Sequence, residues 1–282
     1  MRDIELNLPF GPLAALEWGE PEAPALLALH GWLDNAASFA ALAPLLAKNF
    51  RVIALDLPGH GRSAHLPPGA TRYHVVDYVD HVLNAADALQ LQRFNLLGHS
   101  LGAGVASLTA SAAPARIEKL ALIEGLGPLA DDGAQTLVRW REAETQRRVG
   151  RRAPRVFKSM DEALVARVAV GDLDANEARA LVKRGVHEVE GGCVWSSDPR
   201  LRLPTPLRID ELQLRRLLAG IESPTLLLLA DPATPYLPRA TMEARAACVR
   251  DIRIERISGR HHLHVQHPQE VAERLLGFLE AG

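Results

Sequence analysis

The residues best suited to chemistry lie at Gly98-His99-Ser100-Leu101-Gly102, where a serine stands between two glycines. An apolar run ends at this motif, and a helix of small residues is predicted to begin directly after it. A turn this tight exposes the serine hydroxyl at the end of a strand and holds its backbone in a strained conformation. The pattern therefore predicts that Ser100 acts as a nucleophile.

A serine nucleophile needs a base to take its proton, and the base needs an acid to orient it. Four histidines near the C-terminus are candidate bases, and proximity in sequence does not choose among them: His261, His262, His264 and His267. Two carboxylates end apolar runs and are candidate acids. Glu124 precedes a glycine and needs a partner if it is buried. Asp231 precedes a proline, a position that also shapes turns.

Apolar runs of strand length alternate with amphipathic runs of helical length along the chain. This rhythm predicts an α/β fold, with a mostly parallel eight-stranded sheet flanked by helices. The first two strands are predicted to form an antiparallel hairpin at one edge of the sheet. Strands are predicted at residues 4–8, 13–18, 25–30, 51–56, 94–98, 119–124, 225–230 and 252–257. Helices are predicted at residues 37–47, 75–90, 101–113, 238–247 and 268–279.

The alternation stops after the sixth predicted strand. Residues 126–221 carry helical periodicity and no convincing buried strand, which indicates a helical cap inserted into the core domain of residues 1–125 and 222–282. The cap is expected to overhang the carboxyl ends of the strands, where ligands bind in open α/β sheets. Its aromatic and methionine side chains either line a roof over the site or pack as the core of the cap: Trp140, Phe157, Met160 and Trp195.

Composition narrows the class of protein. A net charge of −2 over 282 residues gives no general field that attracts nucleic acid or an anionic membrane. Two cysteines far apart, no evident signal peptide and no apolar run of about 20 residues predict a cytoplasmic protein. The 28 arginines against 4 lysines indicate a bacterial coding bias. We expect a small-molecule substrate and a monomer or homodimer.

Three motifs, each at the end of a predicted strand, resemble those of the α/β-hydrolase superfamily. They are His30-Gly-Trp-Leu-Asp34-Asn-Ala-Ala-Ser38-Phe39, Asp56-Leu-Pro-Gly-His-Gly-Arg-Ser63 and the Ser100 motif. The likeness is strongest to the serine hydrolase-like, or esterase, branch and extends from end to end. It implies an α/β-hydrolase fold and cleavage of a carboxylic ester through an acyl-enzyme on Ser100, with no cofactor. The histidines lack metal-ligand spacing, and no metal is expected.

The resemblance also implies which histidine is the base. The last segment of this family commonly reads G-H-x-x-x-x-E-x-P, and counting back seven positions from Pro268 gives His261. This chain departs from the pattern with Arg260 before the histidine and Gln266 in place of glutamate. His262 is therefore the alternative base.

The acid and the oxyanion donors complete the predicted site. Family members commonly place the acid after the strand at 225–230, but an alanine stands at that position and Asp231 is displaced by two residues. A minority of family members takes the acid from the strand that follows the helix after the nucleophile, and in this chain that position is Glu124. We favour Glu124, with Asp231 as the alternative acid. The amide of Leu101 begins a helix and is free to donate, and the resemblance implies the amide of Trp32 as the second oxyanion donor.

Two kinds of alternative function stay open at this point. A C–C bond hydrolase, a thioesterase or a lactonase would use the same triad of residues. A non-catalytic, ligand-binding homologue of these hydrolases belongs to a different class, and the unusual acid position favours it.

Overall fold

A sheet of eight strands forms the centre of the molecule, whose computed structural model describes residues 1–149 and 154–281. The strands in this part of the chain are β1 (Arg2–Leu8), β2 (Gly11–Trp18), β3 (Ala25–Leu29), β4 (Arg51–Leu55), β5 (Phe94–His99), β6 (Ile117–Ile123), β7 (Ala130–Asp131), β8 (Val186–Val189), β9 (Gly192–Trp195), β10 (Ile209–Asp210), β11 (Thr225–Asp231) and β12 (Ile252–Ser258). The helices are α1 (Ala43–Leu46), α2 (Asp77–Ala88), α3 (Leu101–Ala112), α4 (Thr136–Val149), α5 (Met160–Ala169), α6 (Ala175–Gly185), α7 (Glu211–Leu218), α8 (Arg239–Ala246), α9 (Leu263–Gln266) and α10 (Pro268–Leu279).

The large sheet has the strand order β1-β2-β4-β3-β5-β6-β11-β12. Strand β2 pairs antiparallel with β1 and with β4, and the remaining neighbours pair in parallel. The predicted mostly parallel sheet of eight strands, with its N-terminal hairpin at one edge, is confirmed. Its central strands carry long buried apolar runs, such as those of β3 and β4, because helices cover both faces.

Helices pack on the two faces of the sheet and divide the core into two apolar clusters. Helices α2, α3 and α8 cover one face, and α1 and α10 cover the other. The single helix predicted over residues 37–47 is wrong, because the chain forms a 3₁₀ turn at Ala36–Phe39 and then begins α1. Pro44 has no N–H to continue a helix from the preceding turn, but it fits the first turn of a new one. The described residues contain no helix long and apolar enough to cross a membrane.

Residues 126–221, called the inserted segment below, lie between β6 and β11. The described part of this segment contains the helices α4 to α7, but also an antiparallel hairpin of β8 and β9 and a short parallel pair of β7 and β10. The hairpin strands have only four residues each and are partly exposed, so they give no buried apolar run in the sequence. Helix α7 packs on α3, and its Leu214 and Leu218 belong to the core of the sheet.

The inserted segment has a small apolar core of its own. Phe157 and Trp195 meet there edge to face, with ring centroids 5.5 Å apart. Trp140 and Met160 instead have exposed side chains. The sequence left open whether these four residues line a roof over the site or pack as a core. The structure shows that Phe157 and Trp195 pack as a core.

A buried ion pair fastens the inserted segment to the sheet. Arg184, at the end of α6, donates from Nε to Asp56 Oδ2 at 2.9 Å, and both side chains are almost fully buried. The Asp56 carboxylate also accepts the backbone N–H groups of Ala36 and Arg62. The arginine side chain that contacts Asp56 is that of Arg184, 128 residues away in the sequence.

Arg184→Met is expected to lower the free energy of unfolding by about 3–5 kcal/mol, because it leaves the Asp56 carboxylate buried without its cation. Urea denaturation followed by circular dichroism measures the change. Arg62→Met is the matched control, since the Arg62 side chain is exposed and pairs only with Asp3 at the surface. Equal losses in the two variants would contradict the importance of the buried pair.

Candidate active site

Ser100 occupies the single position between the end of β5 and the start of α3. Its φ of 53° and ψ of −113° are strained for a residue with a side chain. A Cβ atom at Gly98 would lie 2.4 Å from the carbonyl oxygen of Gly102, and one at Gly102 would lie 2.0 Å from that of Leu29. Both flanking glycines are therefore required by the close approach of backbone, as the sequence motif predicts.

Glu124 follows β6 and lies beside the nucleophile turn, because β5 and β6 pair in register through His99 and Ile123. Its own φ of 54° turns the side chain away from the strand direction. The carboxylate is buried, and its Oε1 accepts the N–H of Ala230 at 2.5 Å. Its Oε2 accepts Nδ1–H of His261 at 3.1 Å. The structure thus brings Glu124 and His261 together at the carboxyl edge of the sheet, beside the Ser100 turn: the ring of His99, the residue before Ser100, lies 2.9 Å from the His261 carbonyl.

Asp231, the alternative acid, has a different position. Its side chain is exposed at the end of β11, and its backbone carbonyl accepts the N–H of Gly259 at 3.3 Å. Thr234, three residues later, donates its hydroxyl to Glu124 Oε2 at 3.3 Å. The loop after β11 therefore supports the Glu124 carboxylate and does not supply a carboxylate of its own to His261.

His262, the alternative base, has both ring nitrogens engaged. Nδ1 lies 2.7 Å from Asp172 Oδ2 in the inserted segment, and Nε2 lies 3.0 Å from Asp34 Oδ2. Burial by itself lowers the pKa of His262, but the hydrogen bonds to Asp172 and Asp34 outweigh it and raise the pKa to about 9. With both ring nitrogens facing carboxylates, His262 has no free nitrogen to accept a proton from a serine.

The two residues that depart from the family pattern, Arg260 and Gln266, both contact the inserted segment. Gln266 accepts the N–H of Arg260 through Oε1 and donates from Nε2 to the carbonyl of Asp172 at 3.0 Å. A glutamate has no N–H to make the second of these bonds. Arg260 itself reaches Glu177 of α6 at 3.5 Å. The loop that carries His261 is therefore fixed from the side of the inserted segment.

The amides of Trp32 and Leu101 are the two donors predicted for an oxyanion. The N–H of Gly102 donates to the carbonyl of His30 at 3.1 Å, which draws the chain after β3 against the start of α3. Trp32 lies in the chain after β3, and Leu101 is the first residue of α3. Among the described residues, neither of their N–H groups donates to a backbone carbonyl. The roles of both amides, like those of the three side chains, remain predictions.

Other histidines near Ser100 are buried and neutral. Burial lowers the pKa of His30 to about 4 and that of His264 to about 3. His30 donates from Nδ1 to the Gly31 carbonyl and accepts the Leu57 N–H at Nε2, so it bridges two loops beneath the site. His264 lies 2.6 Å from the Ser38 hydroxyl. Both ring nitrogens of His30 and Nε2 of His264 are therefore engaged with neighbouring loops and with Ser38.

Two aromatic side chains border the site. The Tyr236 ring meets His261 edge to face at 5.1 Å, and the Trp32 indole donates to the carbonyl of Leu201 in the inserted segment. Both rings are about half exposed, at 54%. The sequence analysis missed Tyr236, because a single aromatic residue in a loop carries no periodic or motif signal.

Comparisons with known proteins agree with this architecture. A sequence model described as alpha/beta hydrolase fold matches residues 24–169. A serine hydrolase-like protein of Danio rerio is 30% identical, over 99% of this chain and 88% of the relative. The structure resembles a hypothetical protein of Pseudomonas aeruginosa, with a TM-score of 0.90 and 37% identity over the whole of both chains. It also resembles a thioesterase domain of the curacin biosynthetic pathway, with a TM-score of 0.84 and 26% identity over 98% and 99% of the two chains. The chain therefore belongs to the alpha/beta hydrolase family, in its serine hydrolase-like branch.

Proposed function

We propose that this protein is a serine hydrolase that cleaves a small or medium carboxylic ester through an acyl-enzyme on Ser100. The observation that carries the proposal is the 3.1 Å contact between Glu124 and His261 beside a strained serine. A buried carboxylate on Nδ1 fixes the tautomer in which Nε2 is free to take a proton. Among the described carboxylates, Glu124 is the one hydrogen-bonded to this histidine.

The reaction follows from the roles of these groups. His261 Nε2 takes the proton of the Ser100 hydroxyl as its oxygen attacks the ester carbonyl, and the imidazolium then protonates the leaving alcohol. Water, deprotonated by the same nitrogen, releases the acid and restores the serine. The amides of Trp32 and Leu101 hold the oxyanion, and each such donor contributes about 2.7–4 kcal/mol to transition-state stabilisation.

Labelling with a fluorophosphonate probe, together with turnover of short p-nitrophenyl esters, tests this proposal. We expect the probe to modify Ser100, as mapped by mass spectrometry, and acetate or butyrate esters to be hydrolysed. Labelling without turnover of any ester would favour the non-catalytic, ligand-binding alternative. Preferred hydrolysis of acyl thioesters over matched oxygen esters would favour a thioesterase, a second candidate supported by the likeness to the thioesterase domain.

The inserted segment is proposed to act as a cap that limits the acyl group. The contacts that support this role join it to residues around the site, at Trp32, His262 and Gln266. We also propose a cytoplasmic location, which the free thiols of Cys193 and Cys248 support.

A capped site is expected to hydrolyse short and medium acyl chains faster than long ones, because enclosure limits the length that fits. We expect kcat/KM for p-nitrophenyl butyrate to exceed that for the palmitate ester by about tenfold or more. A series of esters from acetate to palmitate, kept below the critical micelle concentration, measures the dependence. Faster cleavage of long-chain triglyceride emulsions than of butyrate esters would contradict the role of a cap.

A further inference from the structure

We propose that Asp34, His99 and His262 form a binding site for a zinc ion beside the predicted catalytic histidine. Their donor atoms lie within 4.8 Å of one another, and all three residues are buried. They come from three separate parts of the chain: the loop after β3, the end of β5 and the loop after β12. Two imidazoles and a carboxylate are a donor set that zinc accepts readily, with a fourth position for water.

The unpartnered Nδ1 of His99 is the clearest indication that a cation binds here. Nε2 of the same ring lies 2.9 Å from the backbone carbonyl of His261, which can only accept, so Nε2 carries the hydrogen and Nδ1 carries a lone pair. Nδ1 is buried and has no hydrogen-bond partner among the described residues. A buried acceptor without a donor is unfavourable, and a bound cation would satisfy it.

The other two ligands are held by partners on their far sides. Asp172 accepts from His262 Nδ1 at 2.7 Å, which directs Nε2 toward Asp34. Arg167 donates to Asp34 Oδ1 at 3.2 Å, which leaves Oδ2 facing the histidines. Each ligand atom therefore has an outer partner of the kind that orients metal ligands. The outer partners of His262 and Asp34 both belong to the inserted segment.

Zinc would take the place of one proton. In the metal-free protein, His262 Nε2–H donates to Asp34 Oδ2 at 3.0 Å. Binding of one Zn²⁺ releases this proton and forms bonds to Nε2, to Oδ2 and to His99 Nδ1. Tetrahedral ligands with bonds of about 2.0–2.2 Å lie roughly 3.4 Å apart. The pair of His262 Nε2 and Asp34 Oδ2, at 3.0 Å, is near this spacing, and His99 Nδ1 has to move toward them wherever its distance approaches the 4.8 Å limit. Gly31 faces two of the donors: a Cβ there would lie 3.0 Å from His99 Nδ1 and 3.3 Å from Asp34 Oδ2, so a larger residue would crowd the site.

The site lies next to the catalytic machinery, so zinc is expected to inhibit hydrolysis. The rings of His261 and His262 have centroids 5.4 Å apart. Exchange of a proton for Zn²⁺ adds one positive charge beside the His261 ring and ties the adjacent residue, His262, to Asp34 and His99. This inhibition rests on the proposed function, whereas zinc binding does not.

Crystals of the wild-type protein grown with ZnCl₂ and measured at the zinc absorption edge test the site without any substitution. We expect an anomalous peak between Asp34, His99 and His262. A zinc peak only at other histidines, or no peak at all, would overturn the proposal. Neither result depends on enzymatic activity, so failure of the zinc site is distinguishable from failure of the proposed function.

Calorimetric titration of ZnCl₂ into the EDTA-treated protein measures affinity in solution. We expect one tight site in the wild type, at least about 100-fold weaker binding in His262→Gln, and 10–100-fold weaker binding in Asp172→Asn. His187→Gln, which removes an exposed histidine of the hairpin, is the control and is expected to bind like wild type. Circular dichroism checks that each variant is folded.

Loss of binding in His187→Gln with retention in His262→Gln would overturn the assignment. Equally tight binding of Mg²⁺ would also overturn it, because a site with two imidazole ligands disfavours that ion. In turnover assays, inhibition by ZnCl₂ that EDTA reverses and that His187→Gln retains is the expected result.

Discussion

Ser100→Ala is expected to lower kcat for p-nitrophenyl butyrate by about 10⁶-fold, because no other group can form the acyl-enzyme. Alanine has a side chain of similar backbone preference, so the strained turn and the fold should persist. Steady-state assays of protein verified by circular dichroism measure the effect. Ser111→Ala is the matched control, since this exposed hydroxyl on the same helix donates only to the Leu217 carbonyl. More than a few per cent of residual activity in Ser100→Ala would exclude Ser100 as the nucleophile.

A second substitution at Ser100 tests the strain of the turn through the stability of the protein. Ser100→Gly is also expected to be inactive, but it should unfold at higher denaturant concentration than Ser100→Ala. Glycine adopts a φ of 53° and ψ of −113° with little strain, and strain of this kind costs about 1–3 kcal/mol. Identical stability of the two variants would mean that the turn holds no strain.

Glu124→Gln is expected to lower kcat by about 10²–10⁴-fold, the second-largest effect. The glutamine oxygen can still accept from Ala230, which leaves its NH₂ group facing His261. That group is a donor and disfavours the tautomer with Nδ1–H, so Nε2 carries the hydrogen and cannot accept the proton of Ser100. Steady-state kcat, with circular dichroism as the check on folding, measures the loss.

Asp231→Asn is the matched control for this substitution, because its carboxylate is exposed and only its backbone contacts the loop of His261. We expect nearly wild-type kcat. A large loss of kcat in Asp231→Asn, together with nearly wild-type kcat in Glu124→Gln, would place the acid on β11 and overturn the assignment.

Local sequence signals were sufficient to predict the central sheet and the turn at Ser100. Continuous apolar runs predicted the buried parallel strands because only a strand covered on both faces tolerates them. The two glycines around Ser100 predicted the sharp turn, and the structure shows that any Cβ there would meet backbone oxygen. The hairpin of β8 and β9 gave no such signal, because short and half-exposed strands lack both a run and an alternation.

The sequence by itself determined the fold class, the sharp turn that holds the predicted nucleophile and a short set of candidate partners for that serine. It left His261 and His262 as rival bases, because adjacent residues in a loop have nearly the same spacing from any motif. Only the tertiary structure separated them: the carboxylates of Asp34 and Asp172 engage both nitrogens of His262, while Glu124 contacts His261. Such pairings join residues 90 to 228 positions apart in the chain and depend on strand register, loop path and the backbone angle of single residues. Periodicity and composition carry no information about contacts of this kind.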